Sequence, residues 1–114
     1  MQTREKSQVI ACTTSGVYNL YTCPKNCRSK VVLVFVTNAN GNNTVSISLY
    51  KKNVDTSYYI LGSKNMSQSD FVQFSGSYLV LEPEDRLDVS ITTLGVVDAI
   101  CTVEETFLGN VTNV

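Results

Sequence analysis

Apolar residues recur at every second position over most of this chain, and no stretch holds a helical period. In "TVSISLY", Val45, Ile47 and Leu49 fall on one face while Thr44, Ser46 and Ser48 fall on the other. "DRLDVSITT" sets Leu87, Val89 and Ile91 inward against Asp88, Ser90 and Thr92 outward, and "VVDAICTVEE" sets Val97, Ala99, Cys101 and Val103 against Asp98, Thr102 and Glu104. Side chains alternate across a strand, so each segment reads as a half-buried strand of an antiparallel sheet. "VVLVFVT", residues 31–37, is apolar on both faces. It is expected to be a central strand covered on one side by a second sheet and on the other by a neighbouring subunit. Weaker strands are expected at 9–13, 17–22, 57–61, 70–74 and 78–81.

The breaks between these segments carry turn chemistry. "NANGNN" contains an Asn-Gly pair, which predicts a hairpin between two strong strands. "KKNVDTS", "GSKNMSQS", "SGS" and "EPED" are rich in Gly, Pro, Asn, Asp and Ser. The spacing implies an all-β fold, an antiparallel two-sheet β-sandwich of jelly-roll type with about eight strands. At 114 residues the chain reads as one domain, 1–114, long enough to bury a core without staples. The polar ends, 1–7 and 109–114, are expected to be extended or flexible arms.

Composition removes several functions. The net charge is −1 with nine Lys and Arg in all, so nucleic acid and anionic membrane are not expected partners. No apolar run approaches a membrane span, and "MQTREKSQVI" lacks the apolar core of a secretory signal, so synthesis in a cytoplasm is expected. Histidine is absent, which excludes His-based acid/base catalysis, Ser-His and Cys-His nucleophiles and every His-containing zinc site. No cofactor or metal is expected, and the chain reads as a non-enzyme.

Four cysteines remain, Cys12, Cys23, Cys27 and Cys101. A four-cysteine zinc site is a poor fit, because three residues separate Cys23 from Cys27 where the usual knuckle has two, and parity places Cys101 in the core. Cys12 and Cys101 read as small buried hydrophobes. A Cys23–Cys27 disulfide is sterically open and opposed by a reducing compartment. "EPEDRLD" gathers Glu82, Glu84, Asp85 and Asp88, and reads as a solvated turn fixed by Pro83 rather than as a catalytic carboxylate pair. "SYYIL" points Tyr58 and Tyr59 to opposite faces of one strand, so one of them is a stiff aromatic available for sugar or protein contact. Sequons at Asn42, Asn65 and Asn110 carry meaning only on a secretory route.

Taken together, "VYNLYTCPKNCRSKVVLVFVTNANGNNTVSISLYKKN", "SYYILGS" and "FVQFSGSYLVLEPEDRLDV" resemble a family of small tailed-phage virion proteins. The shared pattern is a Tyr-Thr-x-Pro corner, a Val-rich strand ending in x-Asn, an alternating strand, a Tyr-Tyr-x-Leu strand and a leucine-rich turn into Asp-x-Leu-x-Val. It spans roughly residues 17 to 106 and describes how a sandwich turns, not a catalytic site. Cys27 is no fixed part of the pattern. Where the family turn reads Ala-Gly-Asp, this chain has Pro83-Glu84-Asp85, so loss of the glycine is expected to change the turn.

The resemblance implies a virion structural protein, foremost a capsid decoration or cement protein bound to the major capsid protein. A tail, neck or baseplate accessory or fibre-attachment subunit is the alternative, and a carbohydrate- or receptor-binding module comes third. It implies a homo-oligomer, dimer or trimer, located on the virion. The candidate contact residues are Tyr18, Tyr21, Tyr58, Tyr59, Asn40 and Asn42, with Met1, Gln2, Thr3 and Arg4 from the N-terminal arm.

Overall fold

The computed structural model describes residues 2–92 and 95–109, and backbone alone at 77 and 78. Met1 and the tail beyond Gly109, with the Asn110 sequon, lie outside the described residues. Eight strands follow in order among them: β1 (Thr3–Cys12), β2 (Gly16–Thr22), β3 (Cys27–Asn40), β4 (Asn43–Lys51), β5 (Thr56–Met66), β6 (Phe71–Leu81), β7 (Arg86–Ile91) and β8 (Val96–Phe107). They form two antiparallel four-stranded sheets, β1-β8-β3-β6 and β2-β7-β4-β5. This is the interleaved order of a jelly roll, and the expected two-sheet sandwich is the observed fold.

Every connection between successive strands crosses from one sheet to the other, except β4 to β5. The predicted hairpin at "NANGNN" is therefore an arch. β3 pairs with β6 and β8, whereas β4 pairs with β5 and β7. Gly41 supplies the left-handed backbone (φ 70°) that the Asn-Gly signal announced. The strands separate because Asn38 is fully buried and turns its amide into the arch. Its Nδ2 donates to the carbonyls of Gly41 (2.7 Å), Met66 (3.1 Å) and Ser67 (3.0 Å). A turn signal specifies a reversal of the chain, not which sheet receives it.

Three other expectations change. Most of the N-terminal arm belongs to β1, with Thr3–Ser7 paired to Thr106–Thr102. An edge strand keeps a polar outer face, so "TREKSQ" disguised it. The separate strands at 70–74 and 78–81 are one strand, β6, whose register shifts against β3 around Gly76 (φ 83°). Asp88 has outward parity but is 7% exposed, because Asn19 Nδ2 (3.2 Å) and Arg86 Nε (3.6 Å) cover its carboxylate.

The core is what alternation specified. Val45, Ile47, Leu87, Val89, Val97, Ala99, Cys101 and Val103 are all fully buried, packed with Leu20, Val36, Met66 and Leu81. Each large apolar side chain so buried contributes about 1.5–3 kcal/mol before entropy is counted. β3, 14 residues long, lies centrally in its sheet.

Candidate functional site

The two outer faces of the sandwich differ in chemistry. Pairing register places Val9, Ile100 and Phe35 in one row across the β1-β8-β3-β6 sheet. Phe71 stacks on Phe35 with ring centroids 5.4 Å apart. Val9 is 68% and Phe71 59% exposed. Toward the β1 N-terminus the same face turns hydroxylated, with Ser7 Oγ 2.9 Å from Thr102 Oγ1, and then charged, with Lys30 Nζ 3.5 Å from Glu104. The opposite sheet presents Val17, Ser90, Ser46, Ser48 and Asp88 in register. Tyr59, 75% exposed, stands on this serine floor beside Tyr58 and Val17, bounding an open groove of about 210 Å³. Arg86 lies over the Tyr50 ring, 4.0 Å from its centroid.

Between the sheets, near the start of β3, lies a polar cluster that alternation in β8 could have revealed had it been followed one step past Val103. Glu105 is fully buried. It accepts from Arg4 Nε at 2.7 Å and from the Tyr21 hydroxyl at 2.5 Å, and Ser29 Oγ lies 2.6 Å from that hydroxyl. Burial pushes the Glu105 carboxyl upward, but the Tyr21 and Arg4 hydrogen bonds outweigh it and hold the group below its ordinary range. Tyr21 belongs to one sheet and Glu105 to the other, so the bond staples them.

The corner at "YTCPKNC" and the turn at "EPED" form one unit. Cys27 N–H donates to the Pro24 carbonyl (3.1 Å), Cys23 N–H to Asp85 O (2.9 Å), and Glu84 N–H to Cys23 O (2.9 Å). "EPED" is not the solvated turn expected. Asp85 is 1% exposed and takes Lys51 Nζ at 2.6 Å and the backbone N–H groups of Lys52 and Glu82 at 2.9 Å each. Desolvation raises its pKa, yet those donors bring it below the usual carboxylate range. Glu84 takes φ 72°, the conformation that the missing glycine would have supplied.

The predicted contact residues part company here. Tyr21 is 2% exposed and spent on Glu105 and Ser29, so its assignment to an outer interface is corrected. Tyr18 is half-buried, and its hydroxyl closes the loop after β1 by accepting from Thr14 N–H (3.0 Å) and donating to Thr14 O (2.9 Å). Asn40, Asn42, Gln2, Thr3 and Arg4 lie at the surface with Tyr58 and Tyr59. All four cysteines are free and buried. Cys23 Sγ faces Cys27 O (3.3 Å) and Ser29 Oγ (3.2 Å), and no disulfide joins Cys23 to Cys27. Burial raises all four thiols, Cys12 and Cys101 to about 11, which suppresses the reactive thiolate. Among the described residues no group of three or more potential ligands could hold a metal. No helix among them is long and apolar enough to cross a membrane.

No family model matches the chain, and no curated relative matches it. Solved structures do. The chain shares its fold with capsid and pilus subunits. A chain of the acid-stable capsid of Helicobacter pylori bacteriophage KHP30 superposes with TM-score 0.59 at 15% identity, over 92% of each chain. A chain from Bacillus endospore appendages, described as disulfide-linked pili, gives 0.58 at 13% identity, over 94% of this chain and 89% of the other. The T13 particle of infectious bursal disease virus gives 0.57 at 8% identity, with 95% of this chain matching 32% of that one. At these identities the likeness is one of fold.

Proposed function

We propose that this chain is a structural subunit of a virion, most specifically a decoration or cement protein that binds the major capsid protein and braces the shell. The observation that carries the proposal is the KHP30 capsid match, which consumes nearly the whole of both chains. That neighbour is matched over 92% of its length, whereas the bursal disease virus match is one part of a larger chain. The phage resemblance of residues 17 to 106 points the same way. A non-enzymatic role belongs to this reading, as the buried acids Asp85 and Glu105 are occupied by Lys51, Arg4 and Tyr21, and the net charge of −1 supplies no field to draw nucleic acid or an anionic membrane. Assembly as a homo-oligomer belongs to this reading, since a subunit used in many copies gains avidity from modest contacts.

A fibre or tail accessory subunit is the second reading, favoured by the pilus-subunit match across 89% of that chain. Quantitative mass spectrometry of separated heads and tails decides between them. On the order of hundreds of copies in heads, as expected of a protein repeated over a symmetric shell, is the predicted result. A few dozen copies confined to tails selects the second reading, and absence from both fractions rejects the proposal.

A further inference from the structure

We propose that the outer face of the β1-β8-β3-β6 sheet is an isologous interface that receives the same face of a second copy of this chain. This deepens the homo-oligomer in the functional reading, yet it rests on the chemistry of one sheet and is tested on the isolated protein.

Val9 and Phe71 are too exposed, and too well aligned with Ile100 and Phe35, to be scattered surface residues. A single copy offers nothing to cover them. The face also carries its own charge complement. Lys30 and Glu104 are register partners on the two central strands, β3 and β8. A twofold axis parallel to the strands lays β8 over the second copy's β3, and β1 over its β6. Ile100 then meets Phe35, Val9 meets Gln73 two residues along β6 from Phe71, Lys30 meets Glu104, and Glu5 at the edge meets Val80, each contact made twice. Four charges alternate in sign around the axis, and aligned packing at about 10 Å between sheets lets their long side chains reach. An axis perpendicular to the strands lays β8 over β8 and β3 over β3, so it sets no Lys30 against Glu104.

The size is sufficient. Four strands at about 4.8 Å spacing and ten residues at about 3.3 Å rise project roughly 600 Å² per copy. Pleating raises the accessible area toward the roughly 800 Å² that each partner gives to a standard interface. On the opposite sheet the exposed Val17, Tyr58 and Tyr59 are set around serines rather than in a continuous apolar row.

Sedimentation equilibrium of the purified chain is the test, with circular dichroism to confirm folding. The expected result is a dimer at concentrations of about 100 µM or below. Val9→Glu, at an exposed edge position that tolerates charge, and Lys30→Glu, which sets like charges across the axis, should each weaken it about tenfold or more. Lys30→Glu combined with Glu104→Lys should recover most of the loss. A folded monomer at that concentration overturns the interface, as does a trimer, or a dimer that neither single substitution weakens. If the protein proves absent from virions but dimerises this way, the functional reading fails and the interface stands.

Discussion

The two ends of the sandwich are closed by opposite chemistries. At the start of β3 the closing groups are carboxylates, Glu105 tying Tyr21 across the sheets and Asp85 organising the turn before β7. At the end of β3 they are neutral amides, with Asn38 donating to three carbonyls and accepting from Asn43 Nδ2 at 3.4 Å. Both arrangements satisfy their buried polar atoms, and no described buried side-chain nitrogen or oxygen lacks a partner. What differs is the response to solvent conditions, because the buried groups that close one end are ionisable and those that close the other are neutral amides.

The largest effect is expected at the charged end. Glu105→Ala removes the acceptor of a buried tyrosine and of Arg4, and should cost about 2–4 kcal/mol in urea unfolding. Asn38→Ala comes next at about 2–3 kcal/mol, because it removes the buried donor to the Gly41 and Met66 carbonyls at the arch. If Asn38→Ala cost less than about 0.5 kcal/mol, a buried amide would not be what holds β3 and β4 apart.

Acid separates the ends more sharply. The folded-state pKa values of Glu105 and Asp85 are both depressed, so their stabilisation is present above the unfolded carboxylate values, near 4, and is lost as pH falls through the lower folded values. Urea midpoints followed downward from pH 7 should therefore decline mainly below about pH 4. In Glu105→Gln that decline should be shallower, Asp85 retaining its share, whereas Asn38→Ala should shift the whole curve down and keep its shape. Equal flattening in both variants would mean that the titrating groups lie elsewhere.

How far this contrast was legible in the sequence depends on the residue. Period-two alternation located the buried faces of β4, β7 and β8, because a sandwich interior filters side chains by polarity one position at a time. The same filter passes over Tyr21 and Asn38, polar side chains at inward positions, and marks Glu105 only by its parity with Val103. Their burial depends on partners 84 residues away for Tyr21 and Glu105, and 28 for Asn38 and Met66, and no local pattern encodes such partners. The part of β1 ahead of the strand expected at 9–13 is hidden for a related reason, since Arg4 gains its role only once Glu105 is in place. The corner at "YTCPKNC" was read correctly as a corner because proline and turn geometry are local. Its attachment to "EPED" was not, being a contact between two connections far apart in the chain. The apolar row on the outer face was partly visible, as "VVLVFVT" has no polar side to give to water.

The smallest effects should come from the backbone of the two ends. Gly41, at φ 70°, closes the amide end, whereas the charged end uses Glu84 at φ 72°. A side chain in the left-handed region costs roughly 1–2 kcal/mol, partly recovered by the lower entropy of a non-glycine unfolded chain. Glu84→Gly should therefore raise stability by about 0.5 kcal/mol, and Gly41→Ala should lower it by about 1 kcal/mol, although a Cβ at Gly41 would meet open space. The pair isolates conformation from contact. A Glu84→Gly variant that unfolds more readily than the parent would show that the Glu84 side chain contributes something at the charged end that its strain has been offsetting.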